Sequence, residues 1–289
     1  MILVAGGTGR IGGLVANQLS DRGVPVRVLS RRLKPDPASL RDGIDTVRGD
    51  VRDPASLSAA MVGVDLVVSA VQGFLGPDSV TPEAVDKRGN LNLIAAAEAV
   101  GADVVMVSVV GAAPDSPIEL ARMKSAAEQR LRAGTSKWTV VRAEVCAETW
   151  VDIMEQTAGS SGRPLVFGRG DNPISWVSAQ DVAALVVRAV TDPSLRGRTL
   201  DICGPERATL AGLAAKVMAH RGVNAKPRRI PRAVLHLMAS TVGRVRPALG
   251  RQARTSLAMD RMPTSHDEAT RAEFPDLPST PVSAVVAAR

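Results

Sequence analysis

Tyrosine is absent from this 289-residue chain, and other aromatic residues are few, with three tryptophans and three phenylalanines. This absence excludes every mechanism in which a tyrosine phenol gives or takes a proton. Cysteine is almost as scarce. Cys146 and Cys203 are far apart in the sequence and have no metal-ligand residues nearby, so we predict buried free thiols in a reducing compartment and no metal site.

The chain also lacks a long uninterrupted apolar run. Its most apolar stretch, residues 91–113, contains Glu98 and Asp103, which argues against a membrane span. Met1 leads straight into the first apolar segment, so we expect no signal peptide. Since 45% of the residues are hydrophobic, we expect a soluble, cytoplasmic protein with a packed core.

Acidic residues are missing from segment 207–259, which contains eleven lysines and arginines. Because the whole chain has a net charge of +7, the remaining residues together carry −4. Such a segment would attract an anionic cofactor, an acidic substrate, nucleic acid or a membrane surface; a solvated basic face is the alternative. The segment has no aromatic residue for base stacking, which argues against nucleic-acid binding.

At the amino terminus, apolar residues 2–5 lead into a glycine-rich run, and apolar positions then recur at helical spacing over residues 11–19. This pattern predicts a buried parallel strand, a tight turn and a helix start, which together offer backbone N–H groups to an anion. The G-x-x-G-x-x-G spacing favours dinucleotide binding over a purely structural turn. The residues predicted to contact the dinucleotide here are Gly6, Thr8, Gly9, Arg10, Ile11 and Gly12.

The cofactor preference is predicted from the end of the second strand. Ser30 and Arg31 stand 18 or more residues after Gly12, where an acidic residue would hold the ribose hydroxyls of NAD. A guanidinium can instead pair with a 2′-phosphate. We therefore expect NADP(H) to be preferred, with Arg31 as the main contact, Arg10 as support, and NAD(H) as a possible cofactor. The alternative is that these arginines are ordinary surface residues.

Strand and helix patterns alternate along the chain, which predicts an α/β fold of Rossmann type, a doubly wound parallel sheet with a smaller, mostly helical C-terminal substrate lobe. The predicted strands are residues 2–5, 24–29, 44–47, 65–71, 104–109, 138–142 and 199–203, and the predicted helices include 11–19, 90–100, 117–132 and 182–190. In such sheets ligands lie at the carboxyl ends of the strands. Further cofactor contacts are therefore expected from Asp50, Val51, Ala70, Val71 and Gln72.

The domain boundaries follow from the same patterns. Residues 1–148 are predicted to form the dinucleotide-binding domain, with residues 176–204 packed back onto it. Residues 149–175 and 205–289 are predicted to form the smaller substrate or partner lobe, because residues 144–175 show no strand–helix regularity. Trp150, Phe167 and Trp176 are predicted to line a substrate pocket; ordinary core packing is the alternative.

Lys124 stands out on the helix predicted at residues 117–132. It follows Leu120 by four residues, at the margin of a stripe of apolar residues that is expected to be buried. Such a position is unusual for a lysine without a role. An ion pair with Glu128 is the alternative, although lysine before glutamate is the weaker orientation on a helix.

Taken together, these motifs make the chain similar to the NmrA-like and isoflavone-reductase-like atypical short-chain dehydrogenase/reductases, over nearly all of its length. The matching segments are residues 6–12 (GGTGRIG), 49–51 (GDV), 69–71 (SAV), 104–108 (VVMVS), 124–128 (KSAAE), 138–142 (WTVVR), 167–170 (FGRG), 178–182 (SAQDV) and 203–206 (CGPE). The resemblance implies catalytic roles for Lys124 and Ser108, and a cofactor contact from Lys124. The usual tyrosine four residues before the lysine is Leu120 here, as is common in these branches.

Two functions remain open from the sequence. The first is NADPH-dependent reduction of a small carbonyl, enone or quinone-like compound, with Lys124, buried among cationic groups, supplying the proton in place of the missing tyrosine. The second is a non-catalytic NADP(H)-binding redox sensor or assembly protein acting through a protein partner. Neither the substrate nor the oligomeric state, including a homodimer, follows from the residues.

Overall fold

The computed structural model describes residues 1–32, 40–76, 80–262 and 269–289, and only the backbone of residues 242 and 244. The strands in these ranges are β1 (Ile2–Ala5), β2 (Val26–Ser30), β3 (Asp45–Arg48), β4 (Leu66–Ser69), β5 (Asp103–Val109), β6 (Trp138–Ala143), β7 (Leu165–Phe167), β8 (Pro173–Ser175), β9 (Arg198–Ile202), β10 (Arg207–Thr209) and β11 (Arg228–Ile230). The α-helices are α1 (Arg10–Ser20), α2 (Leu57–Ala60), α3 (Asn90–Ala99), α4 (Glu119–Arg132), α5 (Ala147–Ala158), α6 (Ala179–Thr191), α7 (Leu210–His220), α8 (Arg232–Leu237), α9 (Gly243–Val245), α10 (Pro247–Met259), α11 (Ala269–Glu273) and α12 (Val282–Ala287).

Seven of the described strands form one sheet in the order β3-β2-β1-β4-β5-β6-β9. The ladders from β3 through β6 are all parallel. Strand β9 continues this direction, because hydrogen bonds join Gly197 to Trp138 near one end and Glu144 to Ile202 near the other. The predicted doubly wound Rossmann-type sheet is therefore confirmed, and the strand order reverses beside β1.

Helices cover both faces of this sheet. Helices α1 and α6 pack together on one face, and α2 and α3 pack on the other. Leu93 of α3 and Leu131 of α4 share a buried apolar cluster with Met106 and Val140 of the central strands. Because both faces are covered, the central strands β1 and β4 are apolar apart from Ser69, whereas the edge strand β3 (DTVR) is partly exposed.

The described chain divides into two compact units. The first comprises Met1–Ser116, Leu120–Ala143 and Ala179–Asp201, and it contains the seven-stranded sheet. The second comprises Pro117–Glu119, Glu144–Ser178 and Ile202–Arg289, and it contains α5, α7 and the two small sheets β8–β10 and β7–β11.

The structure corrects the prediction that residues 144–175 lack regular elements. They contain the twelve-residue helix α5, which buries Trp150, Val151 and Met154 at helical spacing. A π-helical turn at Glu83–Gly89 also precedes α3, and the sequence pattern does not predict it. No helix in the described ranges is both long and apolar enough to cross a bilayer.

Candidate functional site

The turn between β1 and α1 leaves no room for side chains at two of its glycines. Gly6 has φ +83°, and a Cβ there would lie 2.6 Å from the carbonyl oxygen of Ala70. A Cβ on Gly12 would lie only 2.3 Å from the carbonyl oxygen of Gly6. The amide of Gly9 donates back to that carbonyl at 2.9 Å and closes the turn. The helix start is thus held against the end of β1, as a phosphate-binding cradle requires.

The amino-terminal end of α1 suits an anion. Its N-cap is Gly9, so no side chain caps the helix, and its first turn carries no acidic residue. Thr8, Gly9 and Arg10 are exposed and Ile11 is partly exposed. The positive end of the helix dipole and the first amides therefore face outward without a competing carboxylate on the helix.

The end of β2 presents the predicted phosphate-reading residues. Arg31 is exposed, whereas Ser30 is buried and its hydroxyl accepts a hydrogen bond from the amide of Arg32 at 3.1 Å. Asp50, beyond the neighbouring strand β3, is paired with Arg52 at 2.6 Å. Hydrogen bonds from Arg52, and then the charges of Arg52 and Arg31, hold the pKa of Asp50 below its usual value despite partial burial.

Beyond β4 the chain runs past the glycine cradle. The amide of Ala70 donates to Ala5 of β1 at 2.9 Å, Val71 is buried and Gln72 is exposed. The predicted contact residue Val51 is also buried, and its carbonyl accepts from the side chain of Asn92 at 2.9 Å. The structure thus brings these predicted residues to the carboxyl edge of the sheet.

A buried polar network fixes the end of β4. The hydroxyl of Ser69 donates to the amide oxygen of Asn90 at 2.5 Å, and Asn90 donates to the carbonyl of Asp86 at 2.7 Å. The carboxylate of Asp86 in turn accepts from the amide of Gly73 at 2.8 Å. Asp86 is fully buried, and burial raises its pKa while the charge of Lys124 opposes the rise.

Lys124 completes this network. Its ammonium donates to the carbonyl oxygens of Val71 at 2.9 Å and Val107 at 3.0 Å, and it lies 3.2 Å from the carboxylate of Asp86. The lysine is only 3% exposed. Its charged neighbour is a carboxylate, which corrects the expectation of cationic surroundings. The alternative partner, Glu128, is held elsewhere.

Glu128 belongs to a second buried cluster. The hydroxyl of Ser108 donates to it at 2.5 Å, and the guanidiniums of Arg142 and Arg132 lie 2.7 and 2.8 Å away. Burial alone would raise its pKa, but the hydrogen bonds from Arg142 and Ser108 prevail and lower it. Glu128 is therefore ionised, and the proton of Ser108 is directed towards it.

The three predicted pocket residues lie in the second unit. Trp150 makes edge-to-face contacts with Phe167 and Trp176, with ring centroids 6.4 and 6.1 Å apart. Trp150 and Trp176 are buried within the apolar cluster of that unit, and Phe167 packs against it. A role for them in lining a substrate pocket stays a prediction.

Sequence reasoning missed Asp86 and Asn90, and it named Glu128 only as an alternative partner of Lys124. All three are buried in hydrogen-bond networks, yet each reads as an ordinary polar residue of a helix. The spacing of Asp86 and Asn90, four residues apart just before an apolar helix, is the one signal that indicated a shared buried face.

A helix that begins at a glycine-rich turn, at the point where the strand order of a parallel sheet reverses, is typical of a dinucleotide-binding protein. The family described as NAD(P)H-binding matches residues 6–193, and the chain belongs to it. The predicted kinship with NmrA-like atypical short-chain dehydrogenases is likewise confirmed. Over 229 residues the chain is 33% identical to an NAD(P)H azoreductase of Xenophilus azovorans, covering 77% of this chain and 74% of the relative. Over 246 residues it is 30% identical to the photosystem II assembly factor Ycf39 of Synechocystis, covering 83% and 73%.

Solved structures share the fold. An NADPH-dependent quinone oxidoreductase of Escherichia coli, solved with NADPH, has a TM-score of 0.80 at 22% identity, covering 100% of this chain and 99% of that one. A triphenylmethane reductase of Citrobacter, solved with NADP(H), has a TM-score of 0.76 at 19% identity, covering 99% of both chains. The family and its reductase members indicate an NAD(P)H-binding oxidoreductase.

Proposed function

We propose that the protein is an NADPH-dependent reductase of a small, apolar carbonyl, enone or quinone-like compound. The observation that carries the cofactor preference is the end of β2, where exposed Arg31 stands in place of a ribose-binding carboxylate. The nearest carboxylate beyond β3, Asp50, is already neutralised by its pairing with Arg52. The extra phosphate of NADPH would therefore meet net positive charge at this edge.

The cofactor proposal is tested by Arg31→Ala. Loss of one charge-assisted hydrogen bond costs about 1.5–3 kcal/mol, so NADPH affinity should fall about 10- to 100-fold while NADH affinity changes little. Calorimetric titration with both cofactors measures the two values. Arg22→Ala is the matched control, because Arg22 is exposed just beyond the opposite end of α1 and its guanidinium donates to the carbonyl of Gln18. An equal loss for NADPH and NADH in Arg31→Ala would refute the phosphate-reading role.

The proposed reaction is supported by relatives named for reduction of different electron acceptors, among them an NAD(P)H azoreductase and a butenolide phosphate reductase of Streptomyces griseus. The acid/base role that the resemblance gives Lys124, and a role for Ser108 towards the substrate, stay predictions. So do the cytoplasmic location and a homodimer. Oxidation of NADPH by purified protein with a panel of quinones, enones and ketones is the direct assay.

A second function, a non-catalytic NADP(H) sensor or assembly protein, is favoured by one relative, the photosystem II assembly factor. It predicts that no acceptor of the panel is reduced, that NADPH and NADP⁺ bind with different affinities, and that a protein partner co-purifies. Turnover of any panel member at a rate typical of enzymes argues against it.

A further inference from the structure

We propose that Lys124 is a positioning residue that gives no proton to the substrate. The site therefore reduces acceptors that need no proton from a protein side chain. This inference rests on the proposed function and narrows its substrate class. It is drawn from the three positions where short-chain dehydrogenases carry serine, tyrosine and lysine. Here those positions are Ser108, Leu120 and Lys124.

None of these three side chains offers a proton to a substrate. Leu120 is a buried hydrocarbon. The hydroxyl proton of Ser108 is directed at the ionised carboxylate of Glu128. That carboxylate also accepts from Arg142. If the hydroxyl of Ser108 turned away, the buried charge of Glu128 would lose one of its hydrogen-bond donors.

The ammonium of Lys124 donates hydrogen bonds to the carbonyls of Val71 and Val107, and it forms an ion pair with the carboxylate of Asp86 at 3.2 Å. Release of a proton would leave Asp86, which is fully buried, without its counter-ion. The same three contacts give Lys124 a clear task. They tie the carboxyl end of β4 to the carboxyl end of β5 and to the π-helical turn at Glu83–Gly89.

This tie acts on the segment that approaches the cofactor cradle. The carbonyl oxygen of Ala70 lies only 2.6 Å from the position a Cβ on Gly6 would take, and Val71 follows it directly. Asp86 holds the next turn through the amide of Gly73. Movement of the ammonium or of Asp86 would therefore shift the segment that closes one side of the glycine turn.

The substrate class follows from the charge that reduction leaves on the acceptor. A quinone that accepts a hydride becomes a hydroquinone monoanion, in which a phenolate of pKa about 10 carries the charge and later takes a proton from water. A cationic triarylmethane dye becomes neutral when a C–H bond forms at its central carbon, and it needs no proton. An aliphatic ketone becomes an alkoxide, which is a far stronger base than a phenolate, and it needs a donor at once. In each case the two electrons and the hydrogen come from the reduced nicotinamide, which is oxidised to NADP⁺.

The decisive variants are Lys124→Met and the double variant Asp86→Asn/Lys124→Met. The single variant leaves a buried carboxylate unpaired, so its melting temperature and its NADPH affinity, read by calorimetry, should both fall. The double variant removes both charges at similar volume, which buried ion pairs often tolerate. We expect it to regain stability but to bind NADPH more weakly, because the carbonyls of Val71 and Val107 still lack their donor, while turnover of a quinone at saturating NADPH stays within about tenfold of wild type. If it folds and its turnover at saturating NADPH falls about 100-fold or more, Lys124 is a proton donor and the proposal is wrong.

Wild-type protein gives two further readouts that do not depend on folding of a variant. Aliphatic ketones should be reduced at least about 100-fold more slowly than quinones. Quinone turnover should be slowed by deuteration of NADPH at C4 but not by D₂O. Comparable ketone turnover, or a D₂O effect on the hydride step, would overturn the inference while leaving the proposed function intact. Absence of turnover with every acceptor would instead refute the proposed function, and the melting and NADPH-affinity measurements would still decide the positioning role.

Discussion

Gly12→Ala tests the glycine cradle most directly. The added Cβ would lie 2.3 Å from the carbonyl oxygen of Gly6, 2.7 Å from its carbonyl carbon and 3.0 Å from the Cα of Gly7. All three are backbone atoms, so no side chain can swing away. Since carbon and oxygen normally approach to about 3.3 Å, the turn would have to move about 1 Å from the helix start.

The effect on stability is a balance of two opposing contributions. Overpacking of this kind costs about 1–3 kcal/mol. Alanine in place of glycine within a helix returns about 1 kcal/mol. We therefore expect a modest net loss of stability, about 0–2 kcal/mol, from these two effects. The effect on cofactor binding has no such compensation. For a 1 Å displacement of the groups that position the cofactor, we expect NADPH affinity to fall about 100-fold.

Calorimetric titration with NADPH, alongside urea unfolding, separates the two effects. Gly212→Ala is the matched control, because Gly212 is also the third residue of its helix, α7, but its Cβ would meet only the hydroxyl of Thr209 at 3.2 Å. The control should keep NADPH affinity. If Gly12→Ala binds NADPH as tightly as wild type, the turn is not the pyrophosphate cradle and the site has been misplaced.

Two other predictions concern buried groups. Glu128→Gln should cost about 1–3 kcal/mol at pH 7, a value reduced for the partial exposure of Arg132 and Arg142, because two guanidiniums lose their counter-ion. Since the folded pKa of Glu128 lies below the ordinary glutamate value of 4.5, its contribution is complete above that value and disappears as pH falls through the folded pKa. Urea unfolding at descending pH should thus show wild type and variant converging, and parallel curves would contradict this. Burial, reinforced by Glu148, raises the pKa of Cys146 to about 12, so iodoacetamide at pH 8 should leave it unmodified in native protein and alkylate it in urea; rapid labelling of the native thiol would contradict that assignment.

The sheet was predictable because each strand carries its own signal. Residues 2–5 coincide with β1, and the other strands of the seven-stranded sheet begin and end within about two residues of their predicted bounds. Asp53 caps the short turn Pro54–Ser56, since its carboxylate accepts from the amide of Ala55. Helix α5 was missed because its start at Ala147 has no capping side chain. Its buried face also consists of residues that differ widely in size, from alanine to tryptophan.

The sequence by itself determined that a glycine turn joins the first strand to the first helix. It also determined that Lys124 follows by four residues a position, Leu120, that carries no tyrosine. These are local facts, carried by neighbouring residues. Only the tertiary structure decided what that lysine touches. Its partners lie 53 and 17 residues away at Val71 and Val107, and they are backbone carbonyls. A carbonyl has no side-chain signature, so its approach to Lys124 arises only when β4, β5 and α4 pack together.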